Sequence, residues 1–254
     1  MKQPSEIKPA KGKLGILLPG FGAVATTLVA GVEACRRGLA QPVGSLTQMN
    51  TIRLGKRTDG RTPLIKDLVP LADLEHLVFG AWDPIPDDGY SSALKAGVLN
   101  KENHLDPIKD FLSSIKPMSA AFDTAYVKKL DGPNKKSGNK FEQAEELRAD
   151  IRRFKEDNDC DRLVMVWCGS TEVFMRPGAV HETLDSFVQA MKENDRSIAP
   201  SMLYAYASLM EGVPYANGAP NLSADVPALE KLAIDKGVPI GGKDFKTGQT
   251  LMKT

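Results

Sequence analysis

Hydrophobic and polar positions along the chain divide it into short continuous apolar runs and longer stretches of helical spacing. The first run, 14–18 (LGILL), is followed by Pro19-Gly20-Phe21-Gly22 and then by apolar residues at Val24, Leu28, Val32 and Cys35. A continuous run of this length reads as a strand buried on both faces. The following spacing reads as a helix over 23–37, with those four residues against a sheet and Gly38 as its stop. Further buried strands are predicted at 77–83 (LVFGAWD), 163–167 (LVMVW) and, more briefly, 238–240 (VPI). Helical patterns fall at 91–99, 105–115, 184–191, 201–210 and 226–236. The clearest is at 141–158, where Ala144, Leu147, Ile151 and Phe154 recur among charges. Between these, 129–140 (KLDGPNKKSGNK) reads as an exposed basic loop tip and 214–220 (PYANGAP) as a loop. Alternating strands and helices with crossovers of this length predict an α/β fold, a mostly parallel sheet with helices on both faces.

The turn after the first strand carries candidate chemistry. Gly20, Gly22 and Ala25 form a GxGxxA between strand and helix. Gly20 would allow a tight turn, Gly22 a close approach of backbone to a pyrophosphate, and Ala25 close packing of helix on strand. Backbone N–H groups at the helix start, at Ala23 and Val24, would face the anion. The plainer alternative is a bare turn before a buried helix. A dinucleotide fold usually shows an acidic residue about 20 residues beyond the glycines to hold a ribose. None occurs between Glu33 and Asp59, where a polar, hydroxyl-rich stretch (44–55, GSLTQMNTIRLG) stands instead. Asp83, closing the second strand, is the candidate for that acceptor, its alternative being a turn or cap residue ahead of Pro84. After the third strand, Cys168, Gly169, Ser170, Thr171 and Glu172 are small or polar residues suited to lining a cofactor, or a plain polar turn. The run 241–250 (GGKDFKTGQT) gathers Lys243, Asp244, Lys246 and Thr247, a set able to contact phosphate or polarise a carbonyl, or else to cap a helix.

Composition narrows the field. With 254 residues, 33 basic against 32 acidic and a net charge of +1, no global field recruits nucleic acid or an anionic membrane. Three cysteines, Cys35, Cys160 and Cys168, lack metal or CxxC spacing, which points to a reducing compartment. Residues 1–12 are polar and lysine-containing, read as a flexible leader, and no run approaches a membrane span. A soluble cytoplasmic protein is expected. His76, His104 and His181 are isolated and read as surface or helix residues, and no metal site or nucleophile motif is expected.

Six collinear motifs resemble the myo-inositol-1-phosphate synthase (inositol-3-phosphate synthase) family. They are 20–31, 44–53, 78–83, 167–172, 211–220 and 244–250. The resemblance implies a Rossmann-like domain over 13–250 that binds NAD. It also implies conversion of glucose 6-phosphate to inositol phosphate by oxidation at C5, enolisation, intramolecular aldol closure and reduction by the same coenzyme. On this resemblance the cofactor contacts fall on Gly20, Gly22, Ala23 and Val24 at the turn and on Asp83 at the ribose. Cys168, Gly169, Ser170 and Thr171 would line the strand end, with Gly218, Ala219, Asp244 and Thr247 nearer the nicotinamide. Asp244 and Lys246 are the candidate catalytic pair, and a homotetramer is implied for the full-length protein.

Two departures from the family pattern bear on function. The turn is one residue shorter than the family's Asn-containing eukaryotic form, so pyrophosphate contacts should be more purely backbone. The sequence ends at Thr254, before the family's Asn-rich segment and further lysines. Residues 251–254 therefore read as the start of a catalytic and tetramerisation domain largely absent from this chain, which alone is expected to be inactive. Competing readings are a non-catalytic NAD-binding module and an NAD-dependent dehydrogenase with net hydride transfer.

Overall fold

The computed structural model describes residues 11–245. The sheet has five parallel strands in the order β2-β1-β3-β4-β5. These are β1 (Lys13–Pro19), β2 (Leu77–Trp82), β3 (Cys160–Trp167), β4 (Tyr215–Asn217) and β5 (Ile240–Gly241). Helix α1 (Ala23–Arg36) follows β1, and a long excursion containing the short α2 (Leu46–Met49) leads to β2. Helices α3 (Gly89–Ala96), α4 (Lys109–Ser114) and α5 (Lys140–Asp157) connect β2 to β3. Then α6 (Leu184–Lys192) and α7 (Pro200–Met210) lead to β4, and α8 (Pro227–Lys236) to β5. Adjacent strand residues serve opposite layers: Leu17 packs with Trp82, Met165 and residues of α5 to α8, while Leu18 packs with Phe79, Ala81 and residues of α1, α3 and α4. Helices thus cover both faces, as the alternation predicts.

In this order β1 has β2 on one side and β3 on the other, so the chain leaves β1 toward one edge of the sheet and later returns toward the opposite edge. Open α/β sheets bind ligands at such a reversal, beyond the carboxyl ends of the strands.

Several expectations are corrected. The buried face of α1 is Ala25, Thr26, Val29, Ala30 and Glu33, one position out of phase with the expected one; Val24 is 51% exposed and Leu28 45%. Small Ala25 and Ala30 let the helix axis lie close to the sheet, which turns the bulkier Val24 and Leu28 outward. The loop at 214–220 contains β4. A three-residue strand ending in Asn carries no hydrophobic period to reveal it, yet it pairs with β3 from Met165↔Tyr215 to Trp167↔Asn217. The stretch 105–115 is divided, because Pro107 holds a 3₁₀ turn at Asp106–Ile108 ahead of α4. Two residues of the basic 129–140 stretch turn inward. Lys136 pairs with Asp150 at 2.7 Å, and Lys140 donates to Tyr126 Oη and to the carbonyls of Asp195 and Ile198. Polar stretch 44–55 is largely exposed, with one antiparallel bridge between Thr51 and Leu64.

Candidate functional site

The ends of four strands are held level by main-chain bonds that continue the ladder. Gly20 N–H donates to the Trp82 carbonyl at 2.8 Å, Cys168 N–H to that of Pro19 at 2.9 Å, and Gly218 N–H to that of Trp167 at 3.0 Å. Beyond them lies a cavity of about 910 Å³, near the upper end of the ~300–1,000 Å³ typical of cofactor sites.

The two glycines of the turn do different work. Gly20 has φ +88°, and a Cβ there would stand 2.4 Å from Gly169 Cα, so glycine is required where the β1 turn passes the β3 turn. At Gly22 a Cβ would meet nothing within 4 Å. The protein itself does not demand glycine at that point; the space faces the cavity.

Gly22 is also the N-cap of α1, and no side chain caps this end and no acidic residue stands in its first turn. The first N–H groups of a helix lack intrahelical acceptors, and the helix dipole adds partial positive charge there. A 14-residue helix therefore presents donors at Ala23 and Val24 toward the cavity, without a side chain to neutralise them. This is the chemistry that receives a phosphate or pyrophosphate.

Asp83 follows β2 and fastens the turn. Its Oδ2 accepts Phe21 N–H at 2.7 Å and its Oδ1 accepts Ile85 N–H at 2.9 Å. Each oxygen keeps a second lone pair for a hydroxyl. Burial raises the Asp83 carboxyl above its ordinary range, against the two backbone donors, and Asp87 nearby adds to the rise. Asp87 itself is paired with Lys95 of α3.

The opposite walls are residues 168–172 after β3 and 218–219 after β4. Burial pushes the Cys168 thiol up to about 12, so it stays protonated and serves as a wall rather than a nucleophile. Gly169 packs on the Trp167 indole, where a Cβ would come within 2.7 Å. The Gly218 wall continues into Asp244 and Phe245, and Asp244 holds a left-handed φ of 81°.

Gly20, Gly22, Ala23, Val24, Asp83, Cys168, Gly169, Ser170, Thr171, Gly218, Ala219 and Asp244 all line this one cavity. Lys246 and Thr247 lie outside the described residues. Glu172, expected among the polar lining, lines it too, as do Trp82, Trp167 and Tyr204, to which sequence reasoning assigned no role of their own. The tryptophans at or next to the ends of two predicted strands were the available signal; Tyr204, on a uniformly buried helix, offered none. His181 meets the helix half of the expectation and not the surface half. It is fully buried in a 3₁₀ turn, with Gly178 N–H donating to Nδ1 and Nε2 bonded to the Ser197 carbonyl. Among the described residues no cluster of His, Cys, Asp or Glu is placed to hold a metal ion.

A family model described as Myo-inositol-1-phosphate synthase, of NAD-binding type, matches residues 14–251. The chain is 50% identical to inositol-3-phosphate synthase 1 of Bacteroides thetaiotaomicron over 257 residues, covering 100% of this chain and 58% of the relative. It is 36% identical to inositol-3-phosphate synthase 1 of Oryza sativa subsp. japonica, covering 95% of this chain and 50% of the relative. The chain thus spans about half the length of the curated relatives it matches. Among solved structures, inositol-3-phosphate synthase from Caenorhabditis elegans superposes with a TM-score of 0.88 at 29% identity, covering 97% of this chain and 51% of that one.

Proposed function

As the chain belongs to the myo-inositol-1-phosphate synthase family, we propose that it is the NAD-binding portion of an enzyme that converts glucose 6-phosphate to inositol phosphate. The observation that carries the reading is the uncapped start of α1 beside Gly22, whose missing side chain leaves open space facing the cavity. Main-chain donors at Gly22, Ala23 and Val24 would hold the pyrophosphate. Asp83 would accept from a ribose hydroxyl while keeping the turn in place. Residues 168–171, with Gly218 and Ala219, would enclose the nicotinamide end and exclude water.

When bound, NAD would take a hydride from the sugar and return it after ring closure, so no reduced coenzyme leaves. A coenzyme retained through such a cycle calls for many modest contacts spread over backbone and hydroxyl groups, which is the character of these walls. Asp244, at the cavity edge, and Lys246 are proposed as the polar groups nearest the reacting carbons. The domain assignment over 13–250, a homotetrameric full-length enzyme and a cytoplasmic setting belong to the same proposal. The free thiols of Cys35, Cys160 and Cys168 support that setting. Among the described residues no helix is long and apolar enough to cross a membrane.

Calorimetric titration of the chain with NAD tests the proposal, and absence of saturable binding would overturn it. Glucose 6-phosphate added to the NAD complex separates the reactions: accumulation of NADH would indicate a dehydrogenase instead.

A further inference from the structure

Three walls of the cavity meet at one buried carboxylate. Glu172 is 4% exposed and closes the segment that follows β3. Its Oε1 accepts Ser201 N–H at 2.9 Å, in the first turn of α7. Its Oε2 accepts Ser201 Oγ–H at 2.5 Å and Asn221 Nδ2–H at 3.1 Å, the latter from the segment that follows β4. Glu172 N–H in turn donates to Asn221 Oδ1 at 3.3 Å. From there Asn217 carries the connection forward: its Nδ2–H donates to the Asn221 carbonyl at 2.7 Å, and its Oδ1 accepts Ala219 N–H at 2.9 Å. Thr171, Ala219, Pro200 and Tyr204, one or more from each of the three segments, line the cavity.

Helix α7 begins at Pro200 behind an Ala199 N-cap that has no side chain to accept a bond. Glu172 supplies that acceptor from outside the helix, and the helix dipole favours its charge there. We infer that Glu172 is the positioning residue of the dinucleotide pocket: its ionised carboxylate holds the β3, β4 and α7 walls in register, and its protonation loosens the tie to the segment after β4.

This inference rests on the NAD reading above. A proton on Oε2 is donated to Ser201 Oγ, whose own proton can turn to the Leu222 carbonyl at 3.3 Å. The Asn221 amide N–H loses its charged acceptor and keeps Ser201 Oγ and the Leu222 carbonyl, each at 3.2 Å, while the Ser201 N–H bond to Oε1 and the Glu172 N–H bond to Asn221 Oδ1 survive. Burial pushes the Glu172 carboxyl up to about 7, with the Ser201 donors and the Lys140 ammonium of α5 opposing the rise. The phenols facing it do not ionise in that range. Burial raises the phenol of Tyr126 to about 12 and those of Tyr204 on α7 and Tyr215 on β4 above their ordinary range. The Lys140 ammonium is itself lowered by burial, against the nearby carboxylates Asp123, Asp195 and Glu172.

The test is NAD calorimetry on the 254-residue chain between pH 6 and 8.5, with thermal melts of the same samples. Wild-type affinity should fall about ten-fold toward acid, the scale set by one hydrogen bond to a charged group, with its midpoint near the Glu172 value of about 7. Glu172→Gln should bind NAD about ten-fold more weakly at pH 8, with a flat pH profile and a melting temperature no lower than wild type. Ser201→Ala, which removes one donor to the anion but leaves its N–H, should move the midpoint to higher pH. Its profile decides the matter if the Gln variant fails to fold. Wild-type affinity in Glu172→Gln, a wild-type pH profile in either variant, or a loss of affinity that only follows a loss of melting temperature would overturn the inference while leaving NAD binding standing. No binding by wild type at any pH would overturn both.

Discussion

Phe21 and Asp83 are joined by a bond from the main-chain N–H of the first to the carboxylate of the second, 2.7 Å long and bridging 62 residues of sequence. The glycine turn after β1 is therefore fixed from the end of β2. Asp83→Ala removes this acceptor and the one for Ile85 together. NAD binding should weaken by about 1–3 kcal/mol, the cost of a lost hydrogen bond to a charged group. Asp83→Asn keeps one acceptor oxygen and should fall between the two. An unchanged calorimetric isotherm for the Ala variant would remove Asp83 from the site.

The two glycines of the turn should part in their effects. In Gly20→Ala the new methyl group meets Gly169 backbone at a left-handed φ, so the thermal midpoint should drop with a cost of several kcal/mol. Gly22→Ala places its methyl in open space. Its melting should stay within about 0.5–1 kcal/mol of wild type, while NAD affinity falls about ten-fold or more because the methyl occupies the approach to the helix N-terminus. Equal NAD affinity in folded Gly22→Ala would mean that the ligand does not use this end of α1.

Coenzyme choice should favour NAD over NADP. Asp83 lies close enough to Asp87 for the second carboxylate to raise the first, and Lys95 is already engaged by Asp87. A 2′-phosphate brought to the Asp83 end would meet negative charge. NADP should bind at least about ten-fold more weakly, by competition against NAD, and comparable affinities would displace the adenine ribose from Asp83.

Glu172 also sets a pH dependence of stability whose sign differs from that of most carboxylates. Its folded value of about 7 lies above the ordinary 4.5, so the folded state binds the proton more tightly. The contribution is full below 4.5 and is lost as pH rises to about 7. Over that interval it amounts to about 3 kcal/mol. Asp106, Asp110, Asp131 and Asp195, held low by hydrogen bonds, act oppositely and only in acid, losing their contribution as pH falls through their lowered values. Melting curves of wild type and Glu172→Gln should therefore diverge between pH 4.5 and 7, wild type losing ground as pH rises. Parallel curves would refute this.

The sequence made legible whatever depends on neighbours in the chain. The runs 14–18, 77–82 and 163–167 are apolar because their strands are covered on both faces, and continuous hydrophobicity records that directly. The candidate cofactor residues were legible as motifs placed at strand ends, and the fold brings those of the glycine turn, Asp83, 168–171, 218–219 and Asp244 to a single cavity, whereas Lys243 pairs with Asp225 and does not line it. Less legible was what depends on distant contacts. Tyr215–Asn217 is a strand only because β3 and β5 flank it. The phase of α1 was misread because side-chain size, rather than hydrophobicity alone, decides which face fits near the sheet. The role of Glu172 depends on Ser201 and Asn221, 29 and 49 residues away, and no local pattern connects them.

Tyr204 sits between the chain's two tryptophans, 5.5 Å from the ring centre of each, and Trp82 and Trp167 both border the cavity. Indole emission from this protein consequently arises only from side chains that line the proposed coenzyme cavity. Quenching would report occupancy without any label. Because reduced nicotinamide absorbs where indoles emit, energy transfer would further distinguish reduced from oxidised coenzyme in the site, turning the two rings into a built-in optical gauge of the redox cycle.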